Sequence, residues 1–153
     1  METQQINKIL WNCADTKNFY IGCYPCDVMP RIVKFPSTVV LNIEPLGFRG
    51  VHWVGIFIDK PNHIYYFDSL GKPPNKCIVN NLKVNDIKYI TRNFKHYQSD
   101  FSNFCGVYCL AFIHYMSINC HNNKAFYDFL KYYKSDYTYN DQFVYNYVKN
   151  SIK

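Results

Sequence analysis

A chain of 153 residues that is 48% hydrophobic and 19% aromatic holds enough apolar material for one core, and a charged fraction of 18% is low for a disordered segment. Six glycines and seven prolines exclude collagen-like and linker-like chains, and the longest apolar run, Val107 to Ile113, is far too short to span a bilayer. The net charge of +6 suggests attraction to nucleic acid or an acidic partner, but the basic residues form no block and read better as a solvated surface.

In chain order, the polar start Met-Glu-Thr-Gln-Gln lacks the apolar stretch of a secretory signal, so the expectation is a soluble, intracellular domain occupying residues 1–153. Ile6, Ile9 and Leu10 recur at helical spacing and predict a short amphipathic helix over 4–12. Residues 13–37, broken by Gly22, Pro25, Pro30 and Pro36, read as irregular structure. Residues 38–43 are β-branched and strand-like, and 44–50, with Pro45, Gly47 and Gly50, form a loop. Residues 51–59 are apolar on both alternating faces, the pattern of a central buried strand. Lys60-Pro61-Asn62 is turn chemistry, and 63–68 is the returning strand. A loop over 69–82 and a further strand over 86–91 follow. From residue 106 the period becomes helical: Val107, Leu110, Ala111 and His114, then Phe126, Phe129, Leu130 and Tyr133, then Phe143, Tyr147 and Val148. Strands in the middle and helices after them predict an α+β fold rather than a doubly wound sheet.

The seven cysteines are odd in number, and without a signal they argue against a disulfide framework. Cys23 and Cys26 have the spacing of half a zinc site or of a redox pair, but no second Cys/His pair with matching spacing follows. These cysteines therefore read as inert or half-buried thiols, and no metal site is expected.

Cys105 stands apart. A loop of small and polar residues from Gln98 ends in Cys105-Gly106, and a helix with an apolar face begins at once. Unpaired N–H groups and the positive dipole end at a helix start favour a thiolate. A nucleophilic thiol needs a base. His114, nine residues on, lies about 13 Å further along the same helix and half a turn around it, so it cannot serve. His52 enters the central strand beside a glycine-containing loop, where a rigid sheet can hold a base. The base in turn needs an acceptor, and Asp68 ends the returning strand. In a hairpin whose paired positions sum to 120, His52 and Asp68 face each other. A four-residue loop gives 121 and puts them on opposite faces, so the pairing demands an odd loop or a bulge. Gln98, seven residues before Cys105, supplies a side-chain amide for an oxyanion.

Together, Gly-Val-His52-Trp53, Tyr66-Phe-Asp68-Ser-Leu-Gly71 and Gln98 followed by Cys105-Gly106 resemble the adenovirus-type cysteine proteases (adenain), in the wider clan of ubiquitin-like-protein proteases. The resemblance implies a papain-like or adenain-like fold with a central mixed or antiparallel sheet packed by helices. It implies His52 as base, Asp68 as its orienting acid, Cys105 as nucleophile and Gln98 as oxyanion donor. It also places Trp53 and Gly106 in the substrate groove, with loop 44–50 helping to wall it. The implied function is a viral, or virus-derived, endopeptidase that processes capsid or core precursors at Gly-containing sites. Such a protein would act as a monomer, in the virion and the host nucleus or cytoplasm, and not at a membrane. No cofactor is required by the sequence, and DNA or a viral peptide stays open as an activator. No cysteine lies between Cys77 and Cys105, so the disulfide that couples an activating peptide in adenoviral members is not expected. Two alternatives remain open: an isopeptidase removing ubiquitin or SUMO-type modifiers, and a non-catalytic module binding nucleic acid or virion proteins.

Overall fold

The computed structural model describes residues 1–48, 50–100 and 102–153. Arg49, in the predicted loop 44–50, and Phe101, in the stretch before Cys105, lie outside the described residues. The elements run α1 (Thr3–Asn12), β1 (Tyr20–Pro25), β2 (Ser37–Asn42), β3 (Trp53–Lys60), β4 (His63–Phe67), α2 (Lys76–Val84), β5 (Tyr89–Arg92), α3 (Cys105–Ile118), α4 (Ala125–Leu130) and α5 (Tyr137–Ser151). The strands form one mixed sheet in the order β1-β2-β3-β4-β5, with parallel outer pairs and antiparallel inner ones. This is the α+β arrangement with a central mixed sheet expected from the sequence.

Helices cover both faces, which is why β2 and β3 read as nearly continuous apolar runs. Val40, Phe57 and Phe67 face the layer of α1, α3, α4 and α5, whereas Val39, Leu41, Ile56, Ile58, Ile64 and Tyr66 face the layer of α2. The first layer is aromatic: Phe67 stacks on Phe112 and meets Phe129 edge-on. The second is aliphatic, and a Cys26–Cys77 disulfide ties the exit of β1 to the first turn of α2.

Two elements were hidden from the sequence. The segment 13–37, expected to be irregular, contains β1. It pairs in parallel with β2 and leaves that strand's residues buried on both sides. The predicted loop 69–82 contains the start of α2, because Asn75 caps it: its side chain accepts from the Ile78 N–H. The disulfide corrects a third expectation, that Cys26 is an inert or half-buried thiol in a chain without a disulfide framework. Cys26 pairs across 51 positions with Cys77, and Cys23 remains a buried free thiol.

Helix α3 decides where chemistry can happen. Expected to be amphipathic, it is instead buried on nearly every side, with ten of its fourteen residues inside. It lies against β3, β2, α1, α4 and α5. Gly55 allows the close approach to β3, since a Cβ there would stand 2.6 Å from the Phe112 ring. The helix start is thereby carried to the beginning of β3.

Candidate active site

His52 sits one residue before β3, and its carbonyl still accepts from the Ile43 N–H at 3.1 Å, so the backbone carrying the imidazole is held as firmly as the sheet. Asp68 sits one residue beyond β4. The hairpin pairs Gly55 with Phe67 and Ile56 with Tyr66, a sum of 122, and closes with a bulge between Phe57 and Lys60. The bulge and the even register are those the sequence argument demanded, but the offset differs by two. His52 and Asp68 are thus diagonal rather than directly opposite, and they meet through their side chains. His52 Nε2 donates to Asp68 Oδ1 at 2.7 Å, with both residues buried.

Because Nε2 faces a carboxylate, the other ring nitrogen remains for Cys105, which lies in side-chain hydrogen-bonding reach. Burial raises the Cys105 thiol, yet the net displacement is downward. The His52 hydrogen bond, its charge, and backbone hydrogen bonds from Trp53 and Gly106 together outweigh desolvation. For His52, burial favours the neutral ring, but hydrogen bonds to Asp68 and Cys105 push its pKa up to about 9. Both shifts favour a thiolate–imidazolium pair. The N-cap residue Phe104 offers no side-chain cap, so its own side chain does not compete with the sulfur for the N–H groups at the mouth of α3.

Gln98 is buried and lines the same groove as His52, Trp53, Asp68 and Cys105, a cleft of about 940 Å³. Trp53 is half-buried on the groove wall, and its indole N–H donates to the Met1 carbonyl at 3.3 Å. Gly106 departs from expectation. It is buried beneath Met1, 3.1 Å from where its Cβ would be, so it meets the thiol through its backbone rather than a substrate through an open surface. Within loop 44–50, the described residue on the groove wall is Gly50.

Sequence reasoning missed two residues. Asn93 is buried and grips the Asp68 peptide at both ends: its Oδ1 accepts from the Asp68 N–H at 3.0 Å, and its Nδ2 donates to the Asp68 carbonyl at 2.6 Å. The parallel pairing of β5 with β4 puts Arg92 opposite Tyr66, and Asn93 follows at the level of the acid. A signal existed: a strand over 86–91, recognised as the neighbour of 63–68, would have led to it. The second is Ser69, whose hydroxyl donates to Gln98 Oε1 at 2.6 Å.

Away from the groove, Cys13, Asp15 and His114 place three metal-capable atoms within 4.8 Å of one another, as do Cys26, Asp27 and Cys77. In the second group the two sulfurs are joined in the disulfide. In the first, His114 is hydrogen-bonded on both ring nitrogens, to Asp15 at 3.0 Å and to the Tyr147 hydroxyl at 2.8 Å.

Comparison with known proteins bears on the family and the fold. The family model of the Ulp1 protease family, C-terminal catalytic domain, matches residues 39–144. R355 of Acanthamoeba polyphaga mimivirus, a protein that carries a thiol protease name, is 40% identical over 97 residues, covering 56% of this chain and 31% of R355. The crystal structure of the ASFV pS273R protease has a similar fold, with a TM-score of 0.57 at 18% identity over 94% of this chain and 65% of that one. The chain thus spans about a third of the curated relative and under two thirds of the solved one. These matches fall in the wider clan that the sequence resembles and do not single out its adenovirus-type branch.

Proposed function

Since the chain belongs to the Ulp1 protease family, we propose that it is a viral thiol protease acting through Cys105, His52, Asp68 and Gln98. One observation carries this reading: a single imidazole is hydrogen-bonded to a buried carboxylate on one side and lies within reach of a thiol at a helix mouth on the other, all inside one groove.

The Cys105 thiolate attacks the scissile carbonyl carbon, and the carbonyl π pair moves onto oxygen. The backbone N–H of Cys105 and the free N–H of the Gln98 amide receive that oxyanion. As the intermediate collapses, His52 passes its proton to the leaving amine and the acyl group stays on sulfur. Water, deprotonated by the now neutral His52, then releases the acid and regenerates the thiol. Asp68 holds the ring with Nε2–H directed at its own carboxylate, so the nitrogen facing sulfur is the one that cycles its proton. None of these steps calls on a cofactor.

The substrates we propose are virion precursor proteins cut at Gly-containing sites, in the virion or in the nucleus or cytoplasm of the host; the viral relative supports this choice. A second reading, removal of a ubiquitin-like modifier, is favoured by the family match. Cleavage mapping on the capsid precursors alongside ubiquitin- and SUMO-type probes separates the two. In both readings Cys105→Ala loses turnover by several orders of magnitude, and full turnover in that variant overturns the proposal.

A further inference from the structure

The amide of Gln98 is held at both ends before any substrate arrives. Its Oε1 accepts from the Ser69 hydroxyl at 2.6 Å, and its Nε2 donates to the Ser102 carbonyl at 3.0 Å. A side-chain amide has two N–H donors, so one remains for the groove, and because the group is planar its direction follows from the other contacts. The Ser102 carbonyl can only accept, which decides which end of the amide carries the nitrogen. The Ser69 hydroxyl fixes where the amide sits, and by donating to Oε1 it polarises the amide and strengthens the remaining N–H as a donor. Ser69 and Gln98 are both buried, so no water competes for this contact.

We infer that Ser69 is a positioning residue for the oxyanion hole: its hydroxyl sets the Gln98 amide so that the free N–H meets the developing charge. This rests on the proposed protease reading. Ser69 also accepts the Tyr97 and Gln98 N–H groups on its backbone carbonyl, at 2.8 and 3.1 Å. Replacing the side chain therefore leaves the main chain of the loop in place and removes one hydrogen bond only.

Removing an oxyanion donor outright costs about 10² to 10³ in kcat; loosening one costs less. Ser69→Ala is expected to lower kcat for peptide cleavage about tenfold with KM unchanged. In a Gln98→Ala background the same change is expected to do nothing further, since a residue that acts only through the amide has nothing left to act on. Alkylation of Cys105 by iodoacetamide, which needs the thiolate but no oxyanion hole, is expected to proceed at the wild-type rate in Ser69→Ala. Additive losses in the double variant, or slowed alkylation, would show that Ser69 serves general structure and would overturn the inference. So would an unchanged kcat in Ser69→Ala while Cys105→Ala is dead, an outcome that leaves the protease reading intact. Turnover surviving in Cys105→Ala would instead remove that reading. Should Ser69→Ala fail to fold, Ser69→Cys fills the same space with a weaker donor and carries the same prediction of a lower kcat that vanishes in the Gln98→Ala background.

Discussion

Both ends of helix α3 carry a histidine story with the same cast. At its N-terminus, His52 meets Asp68 and Cys105; toward its C-terminal half, His114 meets Asp15, with Cys13 close by. Both imidazoles are buried and both hydrogen-bond a carboxylate. The differences lie around them. Asp68 is buried, but the Asp15 side chain is half exposed. Cys105 opens a helix, where N–H groups are free, whereas Cys13 closes α1 and donates its own N–H to the Ile9 carbonyl. His52 keeps one nitrogen for sulfur, whereas Tyr147 takes the corresponding position at His114. The first trio lines the groove of about 940 Å³, and none of the second is among that groove's lining residues. Residue types alone do not make a catalytic centre; helix polarity and an open face separate the two.

The sharpest way to break this contrast is to delete each imidazole. His52→Ala should lower turnover on the order of 10⁴-fold or more, and it should also cost stability because the buried Asp68 carboxylate loses its partner. His114→Ala should cost stability alone: about 1–3 kcal/mol in denaturant titrations, because a buried imidazole and its two hydrogen bonds are lost, with kcat retained in the folded fraction. Equal effects on kcat would erase the distinction.

The next largest effect is on pH. Cys105 is held below the ordinary thiol value, so its alkylation rate should rise at a lower pH than that of a free thiol. Turnover should then fall as pH climbs through about 9, where His52 loses the proton the leaving amine needs. The sign for stability follows. The folded pKa of His52 lies above its ordinary 6.5, so the contribution of the protonated ring is complete below 6.5 and is lost as pH rises toward 9. His52→Ala should flatten both profiles; a wild-type profile without an alkaline limb would contradict the ion pair.

Asn93→Ala comes third. It frees the Asp68 peptide at both ends, so we expect about 1–3 kcal/mol of lost stability and about a tenfold fall in kcat, checked by melts and initial rates. The smallest effect belongs to His63, which is partly buried at the start of β4 and pairs with Asp59 and Thr91. His63→Ala should cost about 1 kcal/mol or less, with turnover unchanged.

The sequence made the hairpin and its demand for a bulge legible because strand periodicity allows two parities and only one joins His52 to Asp68. Cys105 was legible from the switch of period at Gly106. What escaped was set by distant partners. Tyr20 to Pro25 becomes a strand only because β2 lies beside it, and its glycine and proline content hides it from local propensity. Ser69 and Asn93 gain meaning only once residues 93–98 fold back along 68–71. Gly71 permits that approach with φ of +70° and the Lys95 carbonyl 2.6 Å from where its Cβ would stand. Gly106 was misread because the chain's first residue, remote in sequence, covers it.

The staple between Cys26 and Cys77 bears on how the protein is handled at the bench. The seven cysteine sulfurs divide into five that can be labelled after unfolding without reductant and two that cannot, so intact mass should report five adducts before reduction and seven after. Cys26 is wholly shielded from solvent while Cys105 opens onto the groove, so a gentle reductant reaches the reactive sulfur long before the bridge. A purification that guards the former need not sever the latter.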